Sequence, residues 1–344
     1  HHMGTGEARA RRAAWLAVVA TVMVVLPTTT GFDYVAKPLP LLLPLTDTVG
    51  SSSSSTASSG KRSHELALQP EGEALLASLP GADAGGCVAP VVVIGPYRSG
   101  KSFLLNQLLG VGCDTGFGVG HTRATQTKGI WVWGSPVAKT LPDGTNCSVL
   151  YLDTEGFEST GRSNAYDDRI FALSALTSSL LVYNLPEAIR ESDIAKLSFA
   201  VQLAEGLYER LEGGGSTSSS TDNAQTGSVT STSGSKAGGS QASRGSGSTG
   251  LAFDPGAMLW LIQRDFLDGP TAEQAVKQAL APVDNPTGDR ETASLNAVRA
   301  SLSALAATST GFSLPQPHLQ RTHLCELGEE QLEQSYVRAM ARLK

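Results

Sequence analysis

Residues 95–102 read Gly-Pro-Tyr-Arg-Ser-Gly-Lys-Ser, between the apolar run VVVI and the amphipathic run FLLNQLL. These types at this spacing suit a chain of phosphates. Gly95 and Gly100 allow backbone N–H groups, those of Arg98 and Ser99 among them, to turn inward around an anion. Lys101 is long enough to reach two neighbouring phosphates, and the Ser102 hydroxyl is an oxygen ligand for Mg²⁺. Phe103 stands in the first turn of the helix whose N-terminus would face the anion, and joins the nucleotide-binding set. The alternative is an ordinary glycine-containing turn. The strand-like run before the loop and the apolar helical face after it (Phe103, Leu104, Leu105, Leu108, Leu109) favour the phosphate reading.

A phosphate loop also needs a carboxylate at the end of a second strand, near the metal. VLYLDTEG at 149–156 supplies Asp153 in a D-x-x-G arrangement. Asp153 would act on Mg²⁺ through water, and the Gly156 N–H would meet the terminal phosphate. Between loop and carboxylate, a threonine should close over the metal. Thr122, Thr125 and Thr127 are all candidates, and local chemistry does not choose among them. The usual guanine-reading N/T-K-x-D string is absent. Arg264-Asp265, at the end of MLWLIQRD, places a carboxylate that can accept from guanine N1 and N2. A capping Asp paired with a surface Arg is the alternative there, and an ATPase or kinase would be distinguished by adenine preference.

These residues need a scaffold. Continuous apolar runs at 91–95, 129–134, 148–153, 179–184 and 257–263 read as buried strands. Helical patterns at 101–109, 167–178, 187–211, 271–281 and 291–306 alternate with them. The alternation predicts an α/β fold, a three-layer P-loop NTPase sandwich with a mostly parallel sheet and helices on both faces. The tail at 326–344 is charged and helical.

Around this core, residues 31–62 (PLPLLLPL, then SSSSSTASSG) read as a Pro/Ser-rich linker. A Ser/Gly-rich block at 213–250 lies between ordered-looking segments, so it reads as an insertion within one domain spanning 63–325. Arg9, Arg11 and Arg12 precede the uncharged run Ala13–Leu26, the pattern of a signal peptide or signal-anchor within residues 1–30. That run is short for a spanning helix. It leaves a secretory or membrane-associated location against the cytoplasmic face of a membrane. The net charge of −6 and the lack of a long basic run argue against nucleic acid as a partner. The four cysteines, at 87, 113, 147 and 325, are far apart and form no C-x-x-C pair, so buried free thiols are expected rather than disulfides or zinc ligands.

Taken together, VVVIGPYRSGKSFLLNQLLG, GFGVGHTRATQTKGIWVWG, LYLDTEGFES, YDDRIFALSALTSSLLVYNLPEAIRESDIAKLSFAVQLAE, MLWLIQRDF and FSLPQPHLQRT resemble the guanylate-binding protein family of large, dynamin-related GTPases. The resemblance runs from about 63 to 325 and is strongest to the plant and algal branch; the atlastins share the Arg-Asp string. It implies GTP as substrate, Mg²⁺ as cofactor, and a homodimer formed head to head through the nucleotide face. It implies Arg98 as an internal arginine finger, Thr127 as the metal-binding threonine, and Thr125 and Glu155 as residues that place the attacking water. It implies Arg264 and Asp265 as the guanine-reading pair, with Leu314–His318 in the cap over the base. A scaffold switched by GTP with little turnover is the alternative. The family carries a long helical stalk after this domain. Only 326–344 stands in its place here, which leaves stalk-driven polymerisation and membrane remodelling in doubt.

Overall fold

The structure, a computed structural model, describes residues 32–45, 65–80, 87–120, 127–141, 143–157, 164–197, 256–265, 269–305, 308–320 and 323–344. Among the described residues nine strands form one sheet: β1 (Pro38–Pro44), β2 (Leu66–Leu68), β3 (Cys87–Ile94), β4 (Ile130–Trp133), β5 (Val137–Thr140), β6 (Asn146–Thr154), β7 (Leu180–Pro186), β8 (Ala257–Gln263) and β9 (Ser309–Leu314). The helices are α1 (Pro70–Ser78), α2 (Lys101–Leu109), α3 (Asn164–Thr177), α4 (Ala272–Leu280), α5 (Arg290–Leu305) and α6 (Gln334–Leu343). A further helical stretch occupies 191–197; of the helix expected at 187–211, residues 187–190 are non-helical and 198–211 lie outside the described residues.

The strand order is β2-β1-β4-β6-β3-β7-β8-β9, with β5 also pairing β6. The run β6-β3-β7-β8-β9 is parallel, while β1, β2, β4 and β5 pair antiparallel. The period of two in the strands divides the core. Val92 and Ile94 of β3, Leu181 and Tyr183 of β7 and Trp260 of β8 face one apolar cluster, closed by α1, α3, α4 and α5. Val93, Val182 and Leu261 face the other, closed by α2 and α6. Helices therefore cover both faces, and the three-layer α/β sandwich read from the sequence is the observed one.

Three sequence expectations change. First, residues 38–44 are not linker but strand β1, paired on both sides. The alternation Pro-Leu-Pro-Leu turns Leu39 and Leu41 into the core, and this burial outweighs the ladder bonds that prolines cannot make. Second, the tail from 326 packs onto the domain. Leu332, Tyr336, Ala339 and Met340 are buried against α2 and the sheet, because α6 carries its apolar residues on one face. Third, the cysteines are bonded as Cys87–Cys147 and Cys113–Cys325. Cys87 and Cys147 are direct register partners across β3 and β6, with Cα atoms 4.4 Å apart, a pairing that spacing along the chain cannot reveal. Among the described residues no helix is long and apolar enough to cross a membrane. The uncharged run at 13–26 and the Ser/Gly-rich block at 213–250 lie outside those residues.

Candidate functional site

All the candidate residues that the structure describes lie at the carboxyl ends of the parallel strands, where open α/β sheets bind ligands. The order of strands sets them in a row. Asp153 ends β6, the phosphate loop follows β3, Asn184 is near the end of β7, Gln263-Arg264-Asp265 ends β8, and Leu314 ends β9. The non-glycine residues with positive φ among the described ones are Arg98 (61°), Glu187 (70°) and Arg264 (57°), and all three are in this row. Such backbone costs about 1–3 kcal/mol per residue and persists where surrounding structure imposes it.

The phosphate loop is shaped by close approaches. Gly95 has φ 148°, and a Cβ there would lie 2.2 Å from the Asn184 carbonyl oxygen, so only glycine fits. A Cβ on Gly156 would lie 2.6 Å from Tyr97 Cα and 2.8 Å from Lys101 Nζ. The D-x-x-G strand end thus rests directly on the loop, tied by Tyr97 N–H to Phe157 O at 2.9 Å and Phe157 N–H to Gly95 O at 3.2 Å. Gly100 caps α2 in the left-handed conformation, and Lys101 starts the helix. Lys101 Nζ donates to Gly95 O (3.2 Å) and Pro96 O (3.1 Å). Burial lowers its pKa to about 8, opposed by the charges of Asp153, Glu155 and Asp167, so it is still cationic at neutral pH. Phe103 turns its side chain into the core, which leaves only its backbone to serve the loop. Arg98 is exposed at the loop tip, with its Cζ 5.4 Å from the centre of the Tyr97 ring.

Ser102, Thr127 and Asp153, 51 residues apart at the extremes, converge. Ser102 Oγ donates to Asp153 Oδ2 at 2.7 Å and Thr127 Oγ1 to the same oxygen at 3.0 Å; the two hydroxyls are 3.4 Å apart. Thr127 thus reaches the carboxylate; Thr122 and Thr125 lie outside the described residues. Asp153 is 1% exposed, and its Oδ1 has no hydrogen-bond partner among the described residues. Burial raises its pKa, while Lys101 and the two hydroxyls pull it down. An orphaned buried carboxylate oxygen beside two hydroxyls is an all-oxygen donor set. With one carboxylate it leaves positions for water and phosphate oxygens, which fits Mg²⁺.

Glu155 is buried at 2% exposure. Its Oε2 accepts from Gly129 N–H at 3.0 Å and Tyr166 Oη at 2.8 Å, clamping the segment just after Thr127 to α3. At the other end of the row, Asp265 Oδ2 accepts from Ser313 Oγ at 2.6 Å, and Asp265 N–H donates to Leu314 O at 3.2 Å. The Asp therefore joins β8 to the start of the 314–318 segment. Arg264 Nη2 lies 3.5 Å from Glu187 Oε1. Two residues escaped the sequence reading, Asn184 and Gln263. Each is a lone amide near the end of an apolar strand, in LLVYNLP and AMLWLIQ, and that placement was the available signal.

With this geometry in place, comparison with known proteins gives a specific answer. Residues 66–226 match the N-terminal domain of guanylate-binding proteins. Over those residues the chain is similar to the guanylate-binding protein family. Guanylate-binding protein 4 of Homo sapiens is 40% identical over 119 residues, covering 34% of this chain and 18% of that protein. Guanylate-binding protein 5 of Mus musculus is 34% identical over 182 residues, covering 53% of this chain and 25% of that one. The match thus spans a quarter or less of the length of these relatives. Among solved structures, Aquifex aeolicus Era bound to GDP·AlF4⁻ overlaps 66% of this chain and 51% of its own, at 13% identity and a TM-score of 0.30.

Proposed function

We propose that this chain carries a guanylate-binding-type G domain that binds GTP with Mg²⁺ and hydrolyses it, faster when two copies meet through their nucleotide faces. One observation carries the reading: Ser102, Thr127 and Asp153 converge beside a buried Lys101 at the mouth of the glycine-shaped loop. Ser102 and Thr127 would hold Mg²⁺ directly and Asp153 through water. Bound there, the metal would draw charge from the β- and γ-phosphate oxygens.

This chain's own residues would do the rest. Loop N–H groups and Lys101 bind the phosphates, and the helix N-terminus favours their charge. Gly156, packed against the loop, would offer its N–H to the terminal phosphate. Glu155 holds the Thr127 segment in register through Gly129, with Thr125 proposed to orient water. Arg98 is exposed at the tip and can reach charge developing on the γ-phosphate once a second domain orders it. Asp265 accepts from the guanine edge, with 314–318 beside it. The name shared by the relatives supports guanine over adenine as the base. The two disulfides support reading residues 13–26 as a leader to an oxidising compartment, with membrane association as a second proposal for the same segment.

The test is phosphate release from GTP and ATP by the whole chain over a protein-concentration series. Specific activity that rises with concentration, for GTP alone, is the expected result. Arg98→Ala should then lose about 10³-fold of the rate at high concentration while keeping GDP affinity. Full activity in that variant would remove Arg98 from the reaction.

A further inference from the structure

The base-reading end and the phosphate loop are joined by a buried chain of amides. Asn184 Nδ2 donates to both Ser99 O (2.8 Å) and Ser99 Oγ (3.0 Å). Gln263 Nε2 donates to Asn184 Oδ1 at 2.7 Å. The direction of the chain is forced. The Ser99 carbonyl can only accept, so Asn184 must turn its NH₂ toward the loop. Its oxygen then faces Gln263, which must answer with its own NH₂. That leaves Gln263 Oε1 against the loop as well, 3.4 Å from where a Gly100 Cβ would stand. Asn184 is 0% exposed, Ser99 6% and Gln263 9%.

Both ends of the chain are functional positions. Ser99 and Gly100 are followed at once by Lys101 and Ser102, and Gln263 by Arg264 and Asp265. The backbone repeats the link, since the Asn184 carbonyl limits Gly95 to glycine and Glu187 N–H donates to Gln263 O at 2.8 Å. Neither Asn184 nor Gln263 belongs to the proposed nucleotide-contacting set. Their bonds link the loop after β3 to β7 and β8, so a shift of the β8 end toward a bound base moves the amide that holds the loop.

We propose that Asn184 and Gln263 are positioning residues that couple recognition of the base to the geometry of the phosphate loop, so that the correct base raises turnover as well as affinity. The proposal rests on the GTP reading above. It is tested with the whole chain by measuring GDP affinity, melting temperature, and kcat and KM for GTP and ITP, which lacks the guanine 2-amino group. The parent should turn over GTP faster than ITP at saturation. Gln263→Met keeps length and packing but loses the donor. It should keep GDP affinity within about threefold, lose about tenfold in kcat for GTP, and bring the GTP and ITP kcat values together.

Ser99→Ala removes one of the two acceptors of Asn184 and should move the same ratio in the same direction, by less; it supplies the answer if Gln263→Met does not fold. A GTP-to-ITP kcat ratio that stays at the parent value in a folded variant overturns the coupling. A fall in kcat that is equal for both bases also overturns it, leaving a purely structural role. A parent that binds no GDP overturns the GTP reading instead, which separates the two failures.

Discussion

Lys101 shows a conflict between binding and stability at a single side chain. Its folded pKa of about 8 lies below the unfolded value of 10.5 because burial disfavours the ammonium. Between pH 8 and 10.5 the unfolded state binds more protons than the native state, so this residue makes stability rise with pH there. Below pH 8 the full penalty of about 3 kcal/mol is present. Lys101→Met should therefore melt higher than the parent at pH 7 without nucleotide, with the gap closing as pH approaches 10.5. It should also bind GDP too weakly to detect. Calorimetry across pH checks the first expectation and fluorescence titration the second. Asp265 gives a second prediction at this scale. Asp265→Asn should weaken GTP by about tenfold or more and favour xanthosine triphosphate, whose base accepts where guanine donates. Unchanged GTP affinity would remove Asp265 from base recognition.

Strand β1 carries the main prediction for an element. Leu39 and Leu41 are buried in the larger core cluster, and Gly72 of α1 packs so closely on this strand that a Cβ there would lie 2.7 Å from Pro40 O. Leu41→Ala should cost about 2–5 kcal/mol in chemical denaturation. A chain begun at residue 63, where the sequence suggested the domain starts, lacks β1 and leaves the β4 edge unpaired. Relative to the full chain it should melt lower and aggregate on heating. Equal melting curves would return 38–44 to the status of linker. At the far side of the sheet, α2 depends on Asn106. Its side chain accepts from Phe117 N–H at 2.7 Å and donates to Phe117 O at 2.9 Å, holding the loop that leads to Cys113 and beyond.

Over the whole molecule the two disulfides close loops of different reach, with sequence separations of 60 and 212. The longer one, Cys113–Cys325, ties the loop after α2 to the segment that delivers α6. In the chain-entropy account its loss costs up to about 5 kcal/mol. Dithiothreitol should lower the melting temperature of the parent, and the Cys113→Ser/Cys325→Ser variant should already melt lower without it. A parent indifferent to reductant would show these cysteines to be free thiols in solution.

Much of the candidate site was legible because the phosphate binding proposed for it is local chemistry. One short loop supplies the N–H groups, the lysine and the hydroxyl, so residues 95–102 declare themselves in any fold that places a strand before them and a helix after. Asp153 and Asp265 were also readable, as carboxylates at the ends of apolar runs. Local chemistry did not choose among three threonines, and only the resemblance pointed to Thr127, because its approach to within 3.0 Å of Asp153 is made by the fold. Nor could the sequence alone pair Cys87 with Cys147, see strand β1 through its prolines, or connect Ser99 to Gln263. Each of these depends on strand order and register, which bring together residues 60 to 164 positions apart in contacts only about 3–6 Å long. The residue types that perform chemistry are written along the chain, whereas the amides that hold them in common register exist as a group only after β3, β7 and β8 have packed side by side.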